Sequence, residues 1–85
     1  MNQPVPVRVK VLDAWDEIAL EVQPTDSIAH VKREALQRAR VHRSADSYEL
    51  KFNGGIVNES DTLAEAGIGA NAALIVLPRR RQPVR

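Results

Sequence analysis

Val7-Arg8-Val9-Lys10-Val11 alternates apolar and polar side chains, the period-2 pattern of a half-buried strand. Ile18-Ala19-Leu20-Glu21-Val22 repeats it after a turn over residues 12–17. The two segments predict a hairpin with Val7, Val9, Val11, Ile18, Leu20 and Val22 on one face. Gln23-Pro24-Thr25-Asp26-Ser27 then breaks the alternation, and Ser27 is suited to cap a helix because its hydroxyl accepts an orphan backbone N–H. Ile28, Val31, Ala35, Leu36 and Ala39 follow at helical spacing, which predicts a helix to about Arg40. Lys32, Arg33, Glu34, Gln37, Arg38 and Arg40 are assigned to its other side, and Val41 is expected to tuck in as the helix ends.

Residues 42–47 form a polar connection. Tyr48-Glu49-Leu50-Lys51-Phe52 alternates as a third strand. Asn53-Gly54-Gly55 predicts a tight turn, since Asn and Gly accept positive φ. Ile56-Val57 is a short edge strand. Ser60-Asp61-Thr62 caps one helical turn, Leu63 to Ala66, which Gly67 ends. Ala72 to Leu77 is a last strand, apolar on both faces, and Pro78 is expected to stop it. A strand of that kind belongs in the middle of a sheet covered on one side by the helix. The order therefore predicts an α+β architecture, with a mixed sheet of four to five strands packed on one α-helix.

Composition narrows the possibilities. The 85 residues suit one small core, and the only aromatics are Trp15, Tyr48 and Phe52. No apolar run approaches the ~18 residues of a membrane span. The start of the sequence lacks the pattern of a signal peptide, so the expected location is cytoplasmic. Without cysteine, disulfides, thiolate metal sites and Cys nucleophiles are excluded. His30 and His42 are isolated, with no partner at a telling spacing, so neither catalysis nor a metal or other cofactor is expected. Nine Arg against three Lys is a balance common in GC-rich bacterial genomes. Residues 1–78 carry a formal −3 and residues 79–85 a formal +4.

Four blocks, quoted as they stand, carry a family resemblance. Ile18 to Lys32 (IALEVQPTDSIAHVK), Leu50 to Gly54 (LKFNG), Thr62 to Ile68 (TLAEAGI) and Ala73 to Leu77 (ALIVL) resemble the corresponding segments of the ubiquitin-like, or β-grasp, family. The resemblance covers about residues 7–79. The first hairpin is one residue shorter and the helix-to-strand connection about two longer. The resemblance implies a β-grasp roll over residues 7–78, an N-terminal extension over 1–6 and a basic tail over 79–85. It also implies a structural ion pair between Lys32 and Glu59.

Conjugated members of that family and the related sulfur carriers end in Gly-Gly, because only residues without Cβ fit the channels where the carboxylate reacts. Here Arg79, Arg80 and Arg81 are followed by Gln82-Pro83-Val84-Arg85, and no glycine follows Gly69. Gly54-Gly55 lies inside the expected sheet. The reading is therefore a non-enzymatic protein-binding module or adaptor that is not conjugated, with a modifier or carrier of atypical C-terminus as the alternative. The resemblance implies two settings: an accessory protein like the small ubiquitin-like components found with bacterial type VII secretion systems, which also lack the glycine pair, or a ubiquitin-like module detached from a larger protein.

The expected contact surface is the outer face of the sheet. Ile75 and Leu77 form its apolar centre, with Arg8, Lys10 and Lys51 around them. Lys51 replaces the family's central isoleucine, so receptors for ubiquitin itself should bind poorly. Apolar residues on a solvated strand are also ordinary surface. Trp15, in the first hairpin loop, is either an interface anchor or folded back over the sheet edge. The arginines Arg79, Arg80 and Arg81 are read as a solvated tail or as a partner for acidic protein. Nucleic acid is not expected, because the body is acidic and no aromatics interleave the arginines. The expected partner is an unidentified protein, with no membrane insertion and weak self-association as a further possibility.

Overall fold

The computed structural model describes residues 4–79. Strand β1 (Val5–Val11) leads through a 3-10 turn (Leu12–Ala14) into β2 (Asp16–Val22). Helix α1 (Ile28–Arg38), a second 3-10 turn (Ala45–Ser47), β3 (Tyr48–Phe52), β4 (Gly55–Ile56), the short helix α2 (Leu63–Ala66) and β5 (Ala72–Pro78) follow. The sheet order is β2-β1-β5-β3-β4, with β1 and β5 parallel and the other neighbours antiparallel. The last strand is thus central, as its two apolar faces require. The fold is the mixed-sheet β-grasp expected from the sequence.

Local chemistry sets the element ends. The Ser27 hydroxyl accepts from the His30 N–H at 3.1 Å and starts α1. Thr62 and Glu65 form a reciprocal capping box on α2, and Gly67 ends it at φ 76, a left-handed conformation natural for glycine. Asn53 (φ 56) and Gly54 (φ 86) make the two-residue hairpin between β3 and β4.

Three boundaries differ from the sequence reading. Strand β1 begins at Val5, because Val5 pairs with Val22 and Pro6 with Glu21, so the sheet claims two residues of the expected N-terminal extension. Helix α1 stops at Arg38 with Ala39 as its cap, and Arg40 turns left-handed (φ 60). That turn brings the Val41 N–H to the Leu36 carbonyl at 3.0 Å and packs Val41 on the core. Pro78 ends β5 rather than following it, opposite Tyr48. A terminal position tolerates the missing N–H.

The core lies between α1 and the inner sheet face. Val7, Val9, Val11, Leu20, Leu50, Leu74 and Val76 from the sheet meet Ile28, Val31, Ala35 and Leu36 from the helix, closed below by Leu63 and Ile68. Each buried Val, Leu or Ile contributes on the order of 1.5–3 kcal/mol of apolar burial. Ile18 is only half-buried, near the turn end of the hairpin on the outer strand of the sheet.

Lys32 departs from its expected solvated side. It is 1% exposed, and its ammonium donates to the Tyr48 carbonyl at 3.0 Å and to Glu59 Oε2 at 2.7 Å. Its aliphatic stem packs beneath the helix while the charge finds two acceptors. The ion pair implied by the family resemblance is therefore present, and it ties α1 to the loop before α2.

Candidate functional site

The register of the sheet builds a flat outer face with one cross-strand row at its centre. Lys10 and Lys51 flank Ile75 on its two sides, Glu17 lies beyond Lys10, and Ile56 lies beyond Lys51. In the next rows Arg8 sits beside Ala73 and Glu49 beside Leu77. Arg8, Lys10, Lys51, Ile75 and Leu77 are thus brought together on one side of the sheet, while Val7, Val9, Leu50, Leu74 and Val76 alternate inward. Ile75 is 37% exposed and Leu77 half-buried.

Two further apolar residues belong to this face, and sequence reasoning assigned neither to it. Leu12 is 38% exposed and Ile56 52%. Leu12 opens the 3-10 turn directly after β1 and shares a depression with outward Lys10 and Glu17. The parity of the first strand is the signal that finds it. Ile56 sits on the two-residue edge strand, opposite Lys51.

Trp15 is 92% exposed, so it does not fold back over the sheet edge. It caps the 3-10 turn in the left-handed region at φ 52, its N–H donating to the Leu12 carbonyl at 3.2 Å. The turn is anchored from inside the protein. Tyr48, 1% exposed, donates its phenol proton to Asp13 Oδ2 at 2.6 Å. That bond, with burial and the charge of Asp13 adding to it, holds the Tyr48 pKa above its ordinary value, while Arg43 acts in the opposite direction. A large apolar side chain is thus presented on a fixed turn at the edge of the sheet face.

Arg79, the last described residue, is bound rather than free. Its N–H donates to the Ser47 carbonyl and its Nε to the Asp46 carbonyl, each at 2.8 Å. One terminal nitrogen reaches Glu59 at 2.7 Å and the other approaches Glu49 at 3.8 Å. Glu59 therefore serves both Lys32 and Arg79. Arg80 and Arg81 lie outside the described residues.

The arrangement offers contact rather than chemistry. Among the described residues no group of three or more His, Cys, Asp or Glu side chains stands close enough to hold a metal ion. The depressions near the face are shallow and open. One is lined by Lys10, Leu12, Trp15, Asp16 and Glu17 and another by Glu49, Lys51, Ile56, Leu77, Pro78 and Arg79. No described helix is long and apolar enough to cross a membrane.

The model of the ubiquitin family matches residues 7–81 of the chain. No curated protein matches it. Among solved structures, the ubiquitin of Caldiarchaeum subterraneum is similar with a TM-score of 0.79, at 15% sequence identity, over 95% of this chain and 100% of that one. At that identity the likeness speaks for the fold.

Proposed function

The chain belongs to the ubiquitin family, and from that premise we propose that it is a non-enzymatic, non-conjugated module that binds another protein through the outer face of its sheet. The observation that carries this reading is the apolar pair Ile75 and Leu77 at the centre of the outer face, with exposed Leu12, Ile56 and Trp15 around it. Its inner rim is charged, from Arg8, Lys10 and Lys51 and from Glu49 beside Leu77. An apolar centre with a polar rim is the anatomy of a protein contact. Lys51 stands beside Ile75, where the family resemblance places the central isoleucine, so a receptor built for ubiquitin would have to desolvate an ammonium there.

One feature supports binding over conjugation. The four contacts of Arg79 hold the chain against β3 and the Glu59 loop where it leaves the sheet.

The test separates face from tail. The immobilised chain, the Ile75→Arg/Leu77→Arg variant and a chain lacking residues 80–85 are each presented with lysate. The reading expects the same protein on the first and third and its loss from the second. Retention by the face variant with loss from the shortened chain would move the function to the tail.

A further inference from the structure

Trp15 incurs a cost in the isolated chain. A left-handed backbone disfavours a bulky side chain by about 1–2 kcal/mol, and its 92% exposure returns no burial. The Tyr48–Asp13 bond nonetheless holds the turn in place. Asp16 and Glu17 follow directly and line one depression with the indole and Lys10, so its collar carries two carboxylates against one ammonium. The collar does not fit an anionic lipid surface. It fits an apolar depression with cations at its rim.

The same face contains such a depression. Ile56, Leu77 and Pro78 line it together with Lys51, Arg79 and Glu49. Glu49 and Glu59 already engage Arg79, while Lys51 makes no salt bridge among the described residues. Strands β1 and β5 are parallel and in register from Val7 to Val11, so the turn after Val11 and the end of β5 lie at the same end of the sheet. Trp15 is on the β1–β2 side of β5 and the depression is on the β3–β4 side. A twofold axis parallel to β5, passing over Ile75, exchanges those two sides.

We propose that two copies of this chain pair face to face about that axis, the Trp15 of each seated against Ile56, Leu77 and Pro78 of the other. Glu17, in the outward row with Lys10, then faces the second copy's Lys51. The contact is isologous and closes as a dimer. The alternative of edge pairing is disfavoured, because two antiparallel β2 edges centred on Ala19 would bring Glu17 of each copy against Glu21 of the other. The same axis brings Lys10 towards the second copy's Lys51, a like-charge approach that Glu17, the register neighbour of Lys10, only partly offsets. The dimer is therefore weak and exchangeable, and it covers the face that the proposed function uses. The inference rests on that face being a protein contact and names one occupant for it.

Trp15 is the only tryptophan, so its fluorescence reports the contact without a label. Emission and sedimentation are followed from about 10 μM to about 1 mM. The proposal expects a blue shift of emission together with a rise towards the dimer mass. Trp15→Ala and Ile56→Asp should each weaken association by about tenfold or more, with unchanged circular dichroism. An equimolar mixture of the two variants should associate more strongly than either alone, because one intact tryptophan then meets one intact depression. A chain that stays monomeric with constant emission overturns the inference, as does a dimer that persists in both variants. If the wild type is monomeric while Ile75→Arg/Leu77→Arg still loses a captured protein, the dimer falls and the binding-module reading stands. If that variant loses nothing either, both fall.

Discussion

Tyr48 donates its phenol proton to Asp13 across thirty-five residues, at 2.6 Å, and so fixes the first hairpin turn to the start of β3. The bond has a charged acceptor and a buried donor, which places it among the stronger hydrogen bonds of a small protein. Tyr48→Phe should cost about 1–2 kcal/mol at neutral pH, read as a lower urea midpoint. The Tyr48 pKa is raised, first by this bond, so folding favours the neutral phenol. The stabilisation is thus complete below the ordinary phenol pKa of about 10. It is lost as pH rises through the higher folded value. Wild type should converge on Tyr48→Phe in strong alkali, and parallel curves throughout would show that the bond does not contribute.

Glu59 receives Lys32 and Arg79 on the same oxygen, each at 2.7 Å. Removing it in Glu59→Ala leaves the Lys32 ammonium, on a side chain 2% exposed, with only the Tyr48 carbonyl. The expected loss is about 3 kcal/mol. Lys32→Met/Glu59→Gln should recover most of it, because an apolar side chain of similar volume removes the desolvated charge. A double variant no more stable than Glu59→Ala would contradict this.

Trp15→Gly should hold or raise stability, by up to about 1 kcal/mol, since glycine adopts φ 52 without the steric cost and the indole is unburied. The same substitution should weaken contacts of the sheet face. A clear fall in the denaturation midpoint would mean that the indole packs on the fold after all.

Two neighbours on β5 should behave oppositely. Ile75→Arg, outward and 37% exposed, should change stability by no more than about 0.5 kcal/mol. Val76→Ala, inward and fully buried, should cost about 2 kcal/mol. Denaturant titration of both variants checks the orientation of the strand on which the candidate site depends.

The period-2 segments, the helical stripe from Ile28 to Leu36 and the caps at Ser27 and Thr62 made the fold legible in the sequence, because each is a local rule. The outward set of Arg8, Lys10, Lys51, Ile75 and Leu77 followed from strand parity once β5 was central. Leu12 was lost because the turn was read as starting right after Val11, although parity carries one residue further. Burial of Lys32 was hidden from helical periodicity, which treats a lysine as polar whatever its stem touches. The exposure of Trp15 depends on a left-handed backbone and on a tyrosine thirty-five residues away. The grip on Arg79 depends on Asp46, Glu49 and Glu59, which only the folded chain gathers beside it.

The most direct test of the central claim is intact-mass analysis, under denaturing conditions, of everything the tagged chain retains from lysate, with Ile75→Arg/Leu77→Arg run alongside. The reading expects the free mass of this chain and of a separate protein, the latter missing from the variant. A species at the mass of this chain joined through its C-terminus to another protein would show a modifier, and would contradict it.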